Sequence, residues 1–293
     1  MLGVVMLNFN DSRNACKLAR KIRNFSNVWQ VFLVDNCSTD DSMSYMQSEF
    51  RDVSDVVVVK TERNGGYAYG NNFGVKLLHD SGGDMALICN TDVDFTEELV
   101  ESCIKALKNG YAAVSGLMRN RDGAKMYENN YRISRYIDDL KGCFFLTRCI
   151  GKRKRWDEFT IDESSREIKT VDLLPGSLFT VNTSDFFEVG GFDENTFLYC
   201  EERILGRRFR NVGKKMGLMM YRDYLHLGSV SISKSHKSVY SKMKLLYHSR
   251  LYYQCAYNHV RGIKRLVLKT AMNVSLFEFK VRDTIFLLSR KIQ

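Results

Sequence analysis

Residues 85–95 read MALICNTDVDF. An unbroken apolar run from Met85 to Cys89 stops at Asn90, and two carboxylates, Asp92 and Asp94, follow one residue apart. A strand covered on both faces of a parallel sheet reads as such a run. Taken alone, the polar residues that follow are equally a turn or the edge of a ligand site. The neighbouring segments decide between these.

Similar short apolar runs occur at 3–9 (GVVMLNF), 30–35 (QVFLVD), 56–60 (VVVVK) and 112–117 (AAVSGL). Segments of helical period separate them near 12–25, 40–49, 69–80 and 96–108, the last opening with Thr96 ahead of Glu97 and Glu98. Strand and helix alternating at this spacing predict βαβ units, hence a mostly parallel α/β sheet with helices on both faces. Ligands bind such sheets at the carboxyl ends of the strands. The polar residues gather there: Asn8 and Asn10 after the first strand, Asp35, Asn36 and Ser38 after the second, Asn64, Gly65 and Asn71 after the third, and Asn90, Thr91 and Asp92 after the fourth. Asn and Asp also build turns, and glycine also supplies positive φ, but four such endings on one rim predict a ligand site. The glycines of GGYAYG lack the spacing of a dinucleotide loop and follow the wrong strand, and no phosphate-binding P-loop motif occurs.

Further along, SLFTVN (177–182) predicts a strand and TSDFFEVG a short helix capped by Thr183 or Ser184. A longer helix follows from about Glu201, with Ile204, Leu205, Phe209 and Val212 on one face. Residues 118–170 look polar and irregular, and GKRKRWDE at 151–158 reads as a solvated charge run or an acceptor-side lid.

Composition narrows the class. The chain has 293 residues, 44% hydrophobic and 27% charged, which suits a folded protein with a sizeable core. Its net charge of +10 is uneven: residues 234–293 carry thirteen Lys/Arg against two acids, while the rest is close to neutral. Nucleic-acid binding needs basic residues on the body and is therefore disfavoured. Eight cysteines without a C-x-x-C pair argue against a zinc site or a disulfide framework and for a reducing cytoplasm. The N-terminus reads as a first strand rather than a signal peptide, and no apolar stretch reaches the roughly 20 residues a spanning helix needs.

In this order, VVMLNFN, LVDNCSTDDS, NGGYAYGNNFGV, ICNTDVDF and VGGFDENTFLYCEERILGRRFRNVGKK resemble the family 2 glycosyltransferases of the GT-A fold, most closely rhamnosyltransferase-like enzymes of bacterial surface polysaccharides. The resemblance covers about residues 2–230, a catalytic domain of 1–230, and leaves 231–293 as a basic, mainly helical extension. It implies an inverting transfer of sugar from a UDP- or dTDP-linked donor to a hydroxyl of a glycan or lipid-linked glycan, assisted by Mn2+ or Mg2+. Asn90-Thr91-Asp92 takes the place of the family's D-x-D, so the resemblance makes Asp92 the metal residue, with Asp94 as a second carboxylate or a helix cap, and His226 as a further metal or phosphate ligand. It places Asn8, Asn10, Asp35, Asn36 and Ser38 along the base and ribose, Asp35 facing the pyrimidine, and Asn64 to Asn71 along the base, ribose or phosphates. Glu202 matches the general base, with Glu201 as the alternative, because adjacent helical residues point about 100° apart. Proton removal by such a base typically contributes about 10²–10⁴-fold. Asp193 and Glu194 are candidates for donor-sugar or acceptor contact, or for a turn.

Two departures from the family pattern stand out: a glutamate as base, and Ile204 where a second acid is usual. A nucleotidyltransferase and an inactive donor-binding homologue are the rival readings. The first would carry a Gly- and Lys/Arg-rich triphosphate loop just after strand one, and LNFNDSRN (7–14) is not such a loop. The extension repeats apolar residues near helical period at 263, 267, 270/271, 274, 277, 281, 285, 288 and 292, among Lys264, Arg265, Lys269, Lys280 and Arg282. It reads either as a helix packed on the body or as a peripheral anchor on the anionic inner face of the cell membrane.

Overall fold

The computed structural model describes residues 1–126, 131–144, 165–228 and 238–292, the last eight of these as backbone. β1 (Leu2–Asn8), β2 (Val28–Asp35), β3 (Val56–Lys60) and β4 (Met85–Cys89) are joined by α1 (Ser12–Ile22), α2 (Ser42–Glu49) and α3 (Gly66–Asp80). The four strands pair in parallel in the order β3-β2-β1-β4. This is the βαβ arrangement that the apolar runs predict.

After β4 come β5 (Val93–Asp94), α4 (Glu97–Lys108), β6 (Ala113–Arg119), α5 (Tyr136–Lys141), β7 (Ile168–Val171) and β8 (Leu178–Asn182). The chain continues through α6 (Thr183–Glu188), α7 (Glu201–Asn211) and β9 (Met216–His226). β8 inserts antiparallel between β4 and β6, and β6 pairs in parallel with β9. β5 and β7 add antiparallel to β9 and complete the nine-stranded sheet. β9 was not evident in the sequence because a bulge interrupts its alternation: between Gly116 and Leu117 of β6 its partner jumps from Met219 to Asp223. The predicted cap of α6 is corrected. Asn182 holds the N-cap position, and Thr183 is helical, its hydroxyl donating to the Gly83 carbonyl at 3.1 Å. The run 151–158 lies outside the described residues.

Both faces of the sheet are covered. On one, α1, α2 and α4 bury Cys16, Ile22, Met46, Leu99 and Cys103 against Leu2, Val4, Leu33 and Leu87. On the other, α3, α6 and α7 bury Val75, Leu78, Phe186, Leu205 and Phe209 against Val5, Val34 and Ile88. Each fully buried aliphatic or aromatic side chain contributes about 1.5–3 kcal/mol, so the two layers fix the sheet and with it the rim at its strand ends.

The C-terminal extension forms α8 (Val239–Ala256) and α9 (Gly262–Ile292), which pack on each other and on α5 through Cys143, Tyr247, Leu268 and Met272. α8 also reaches α7, where Tyr253 is buried with Cys200 and Ile204.

Candidate active site

The ends of β1, β2 and β4 are tied by a buried polar network. Asn8 Nδ2 donates to Asp35 Oδ1 (2.9 Å) and Ser38 Oγ (3.2 Å), and Asn8 Oδ1 accepts the Asp11 amide at 3.1 Å. Asp11 Oδ2 in turn accepts the Thr91 hydroxyl at 2.6 Å. Asp35 is wholly buried, and its oxygens also accept the Ser38 amide (3.0 Å) and hydroxyl (2.5 Å). Its carboxylate organises the turn at 36–38 and keeps one acceptor position on Oδ2. Asn10 lies half-buried at the rim, its backbone left-handed at φ 56°, with its amide donating to Ser38 Oγ and its side chain bonded to Thr39.

The third strand end is joined to the second by Asn36, whose Nδ2 donates to Asn64 Oδ1 (3.0 Å) and the Gly66 carbonyl (3.1 Å). Gly65 caps α3. Gly66 holds φ +87°, and a Cβ there would lie 2.0 Å from the Phe197 carbonyl oxygen, so only glycine fits this junction with the 192–200 loop. Asn71 sits deeper: Nδ2 donates to the Tyr67 carbonyl, while Oδ1 is buried without a hydrogen-bond partner.

At the fourth strand end, the Asn90 amide donates to the Ser177 carbonyl at 2.9 Å. Asp92 is buried, and its Oδ2 has no hydrogen-bond partner but lies 3.4 Å from His226 Nε2. The pairing of β5 with β9 sets this approach, because Val93 opposes His226 and the Leu227 amide donates to the Asp92 carbonyl. Asp94 is the next residue of β5 and is half-exposed; Lys21 Nζ bonds its carboxylate at 2.5 Å. The second carboxylate is therefore drawn to α1 rather than joined to Asp92 and His226. Among the described residues no three His, Cys, Asp or Glu side chains converge on one point. A buried carboxylate oxygen with no donor, facing an imidazole nitrogen, still suits two-point attachment of a cation that takes its remaining ligands from phosphate and water.

Glu201 and Glu202 begin α7, presented by two consecutive left-handed residues, Tyr199 (φ 74°) and Cys200 (φ 72°). Such conformations cost on the order of 1–3 kcal/mol each and persist where surroundings enforce them. Here α8 supplies the enforcement: Ser249 Oγ donates to the Leu198 carbonyl at 2.7 Å, and Tyr253 covers Cys200. Glu201 is buried, with Oε1 unpartnered; burial and then the charge of Glu202 hold it well above the ordinary glutamate value. Glu202 is raised too, by burial, with its own backbone amide and Arg203 opposing. It lines a small cavity with Leu174, Phe179, Leu205 and Met216. Burial and mutual repulsion thus disfavour ionising both carboxyls at once.

Tyr67, Gly176 and Ser177 were not singled out in the sequence, yet they connect the two halves. Tyr67 donates to the Gly176 carbonyl at 2.6 Å. Burial, then the charges of Glu202 and Glu201 and the nearby Cys89, hold its phenol well above the usual value, so it stays a neutral donor. Cys89 is itself raised by burial and by Asp92. A Cβ on Gly176 would meet Glu202 Oε1 at 2.2 Å, and the neighbouring Ser177 carries the carbonyl that holds Asn90. The Asp92 strand end and the Glu202 helix end thus flank one short segment.

Asp193 and Glu194 are committed elsewhere. Asp193 Oδ2 accepts the hydroxyls of Tyr252 (2.7 Å) and Tyr257 (2.6 Å), and Oδ1 accepts the Asn195 amide at 3.0 Å. Burial alone would raise this carboxyl, but these hydrogen bonds outweigh it and bring it below the ordinary aspartate value. Asp193 forms a turn with Asn195 and anchors the C-terminal extension. Glu194 is exposed and accepts Asn72 Nδ2 at 2.9 Å. A second junction joins α5, α7 and α8. Asp139 is buried, bonded by Arg203 Nη1 (3.1 Å) and Gln254 Nε2 (2.7 Å), with Arg250 Nε at 3.5 Å. Asp139 sits in a stretch that reads as irregular, so nothing in the sequence marked it.

A rim of strand ends with an Asp–His pair and an acid pair across one short segment defines a GT-A glycosyltransferase architecture. The chain belongs to glycosyl transferase family 2, whose family model matches residues 4–160. Among characterised relatives, the low-salt glycan biosynthesis hexosyltransferase Agl10 of Haloferax volcanii is 23% identical over 227 residues, 77% of this chain and 66% of its own. An N-acetylglucosaminyl-diphospho-decaprenol L-rhamnosyltransferase of Mycobacterium tuberculosis is 26% identical over 196 residues, 62% of this chain and 61% of its own. The chain therefore spans somewhat under two thirds of the length of these relatives. The fold is shared with the mannosyltransferase PcManGT of Pyrobaculum calidifontis, solved with GDP-Man and Mn2+, at a TM-score of 0.59 and 12% identity, over 99% of this chain and 79% of that one.

Proposed function

We propose that the chain is an inverting sugar transferase that moves a hexosyl or rhamnosyl group from a nucleoside-diphosphate sugar to a hydroxyl of a glycan or lipid-linked glycan. The observation that carries this is the Gly176–Ser177 segment, which contacts Glu202 on one side and Asn90, two residues from Asp92, on the other. One cleft then serves both leaving group and nucleophile. Glu202 takes the proton of the acceptor hydroxyl, while Glu201, protonated, adds no second charge beside it. Tyr67 keeps the Gly176 turn in register. Asn10, Ser38, Asn64 and Gly65 form the rim on which the nucleotide would lie, with Asn8, Asp35 and Asn36 bracing it from behind and Thr91 tying it to β1.

Asp92 and His226 would hold a Mn2+ or Mg2+ ion, which supplies a Lewis acid for the departing diphosphate. The Mn2+ in the mannosyltransferase structure supports this at the level of the fold. The name of the mycobacterial relative supports a lipid-diphosphate acceptor. Such an acceptor would bring residues 1–230, as the catalytic unit, to the inner face of the cytoplasmic membrane, with 231–293 as the contacting extension.

The test is a panel of UDP- and dTDP-sugars offered to purified protein with Mn2+ or Mg2+ and lipid-linked or free glycan acceptors. Transfer by the wild type, together with retained donor binding and lost transfer in Glu202→Gln, is the expected result. Donor binding without transfer by the wild type on every acceptor would leave a donor-binding homologue instead.

A further inference from the structure

α9 has two opposed faces. Leu268, Met272, Ser275 and Phe279 are buried, with Ser275 Oγ bonded to the Tyr247 hydroxyl of α8 at 2.9 Å. At about 100° per residue, Ile263, Val267, Val274, Phe277 and Val281 fall on the opposite side, with Leu266 at its edge. All six are exposed, Ile263 by 80%, Phe277 by 69% and Val274 by 60%. Isolated apolar residues on a surface are ordinary, but six along one helix face, interrupted only by Thr270 between Val267 and Val274, form an interaction surface. From Gly262 to Val281 it extends for about 30 Å.

Basic residues border the stripe on both margins: Lys269 and Lys280 along one, Lys264 and Arg282 along the other, all exposed. Of the two acids of the helix, Asp283 turns away from the stripe and Glu278 stands on its margin, one acid against four cations. Asp283 accepts the Tyr240 amide at 2.9 Å, and Glu278 is half-buried. No helix among the described residues is long and apolar enough to cross a membrane.

We propose that this face of α9 lies on an anionic lipid bilayer, its apolar stripe among the acyl chains and its four flanking cations among the headgroups. A second copy of the chain is the poorer occupant, because apposing two such faces brings the four marginal cations of each copy together with only Glu278 of each to pair them. α8 alone separates α9 from α7, since Tyr247 packs against Leu268 while Tyr253 covers Cys200 and Ile204. The bilayer surface would then run beyond two helix layers, α9 and α8, roughly 20 Å from the helix that begins with Glu202. The inference rests on the reading of a membrane-borne acceptor for its purpose, but its test needs neither donor nor acceptor.

The test is flotation of the full chain with vesicles of phosphatidylcholine alone and with added phosphatidylglycerol. Wild type should float only with the anionic vesicles, and salt should release it. Val274→Asp combined with Phe277→Asp, both at exposed positions, should lower binding at least tenfold with an unchanged circular dichroism spectrum. Each of Lys264, Lys269, Lys280 and Arg282 changed to Gln should cost about fivefold. Equal binding to both vesicle types, or undiminished binding by the Asp variant, overturns the proposal. So does a concentration-dependent dimer that Phe277→Asp abolishes in a protein that ignores vesicles. Transfer to a soluble acceptor in the Asp variant separates failure of this surface from failure of the proposed chemistry.

Discussion

Replacing Gly176 by alanine displaces the proposed base without removing it. The three atoms nearest the new Cβ all belong to Glu202: Oε1 at 2.2 Å, Cδ at 2.9 Å and Cγ at 3.0 Å. Ordinary contact begins near 3.4 Å, so the carboxylate must retreat by more than an ångström, and it can, because it is the end of a flexible side chain. The fold should survive, since no backbone atom is among those three. A misplacement of about 1 Å in a reacting group costs on the order of 10²-fold in rate. Gly176→Ala should therefore lower kcat by about 10²-fold while leaving the donor dissociation constant and Tm close to wild type. Single-turnover transfer of a radiolabelled sugar reads the rate, and titration with the nucleoside diphosphate reads the donor site. The double variant with Glu202→Gln should be no slower than Glu202→Gln alone, because both changes act through one carboxylate. A wild-type rate in Gly176→Ala, or full additivity in the double variant, would refute the assignment of Glu202 as base at this segment.

Changing Asp139 to Ala leaves the guanidinium of Arg203 buried beside that of Arg250 without a counter-charge, which should cost about 3–5 kcal/mol in denaturant unfolding; a loss under 1 kcal/mol would show that the junction is unimportant. Glu202 is raised above 4.5, so the acid limb of kcat/KM should fall at a higher pH than an ordinary glutamate gives, and a limb at or below 4.5 would point to another base. The raised carboxyls also bear on stability. Their contribution is fully present below 4.5 and is lost as the pH rises through their folded values, so the stability of Glu201→Gln should fall less with rising pH than that of the wild type. Asp193 is opposite in sign, its contribution present above 3.8 and lost as the pH falls through its lowered value. Asp92→Asn should abolish any stimulation of donor binding by Mn2+, measured by calorimetry with and without chelator; unchanged stimulation would move the cation elsewhere.

The parallel half of the sheet was legible because each of its strands is buried on both faces and so is uniformly apolar, and because each ends in residues that must meet solvent or ligand. The rim residues followed from that rule without any knowledge of contacts. Their individual roles did not, because a carboxylate at a strand end looks the same whether it faces a ligand or its own turn. Asp35 spends three hydrogen bonds on Asn8 and Ser38, and Asp193 spends its own on two tyrosines some sixty residues away. Asp94 likewise answers to Lys21, on a helix that no sequence pattern pairs with it. Tyr67 and Gly176 were missed for a related cause. A glycine selected for the space beside a glutamate carries no local pattern, and a tyrosine in a helix reads as packing.

The contacts of α8 bear on what the extension is for. Ser249, Tyr252, Tyr253, Gln254 and Tyr257 all reach the 193–204 segment or Asp139, so the extension holds the turn that presents Glu201 and Glu202. The left-handed Tyr199 and Cys200 are costly on their own, and the parallel sheet offers them few bonds. α8 offsets that cost at the point where the carboxylates enter. The compositional break near residue 230 is thus crossed by the bonds that position the proposed base. Removing α8 should disable transfer even where nucleotide binding at the β1–β3 rim persists, because the rim is braced by Asn8, Asp35 and Asn36 and the acid pair is not.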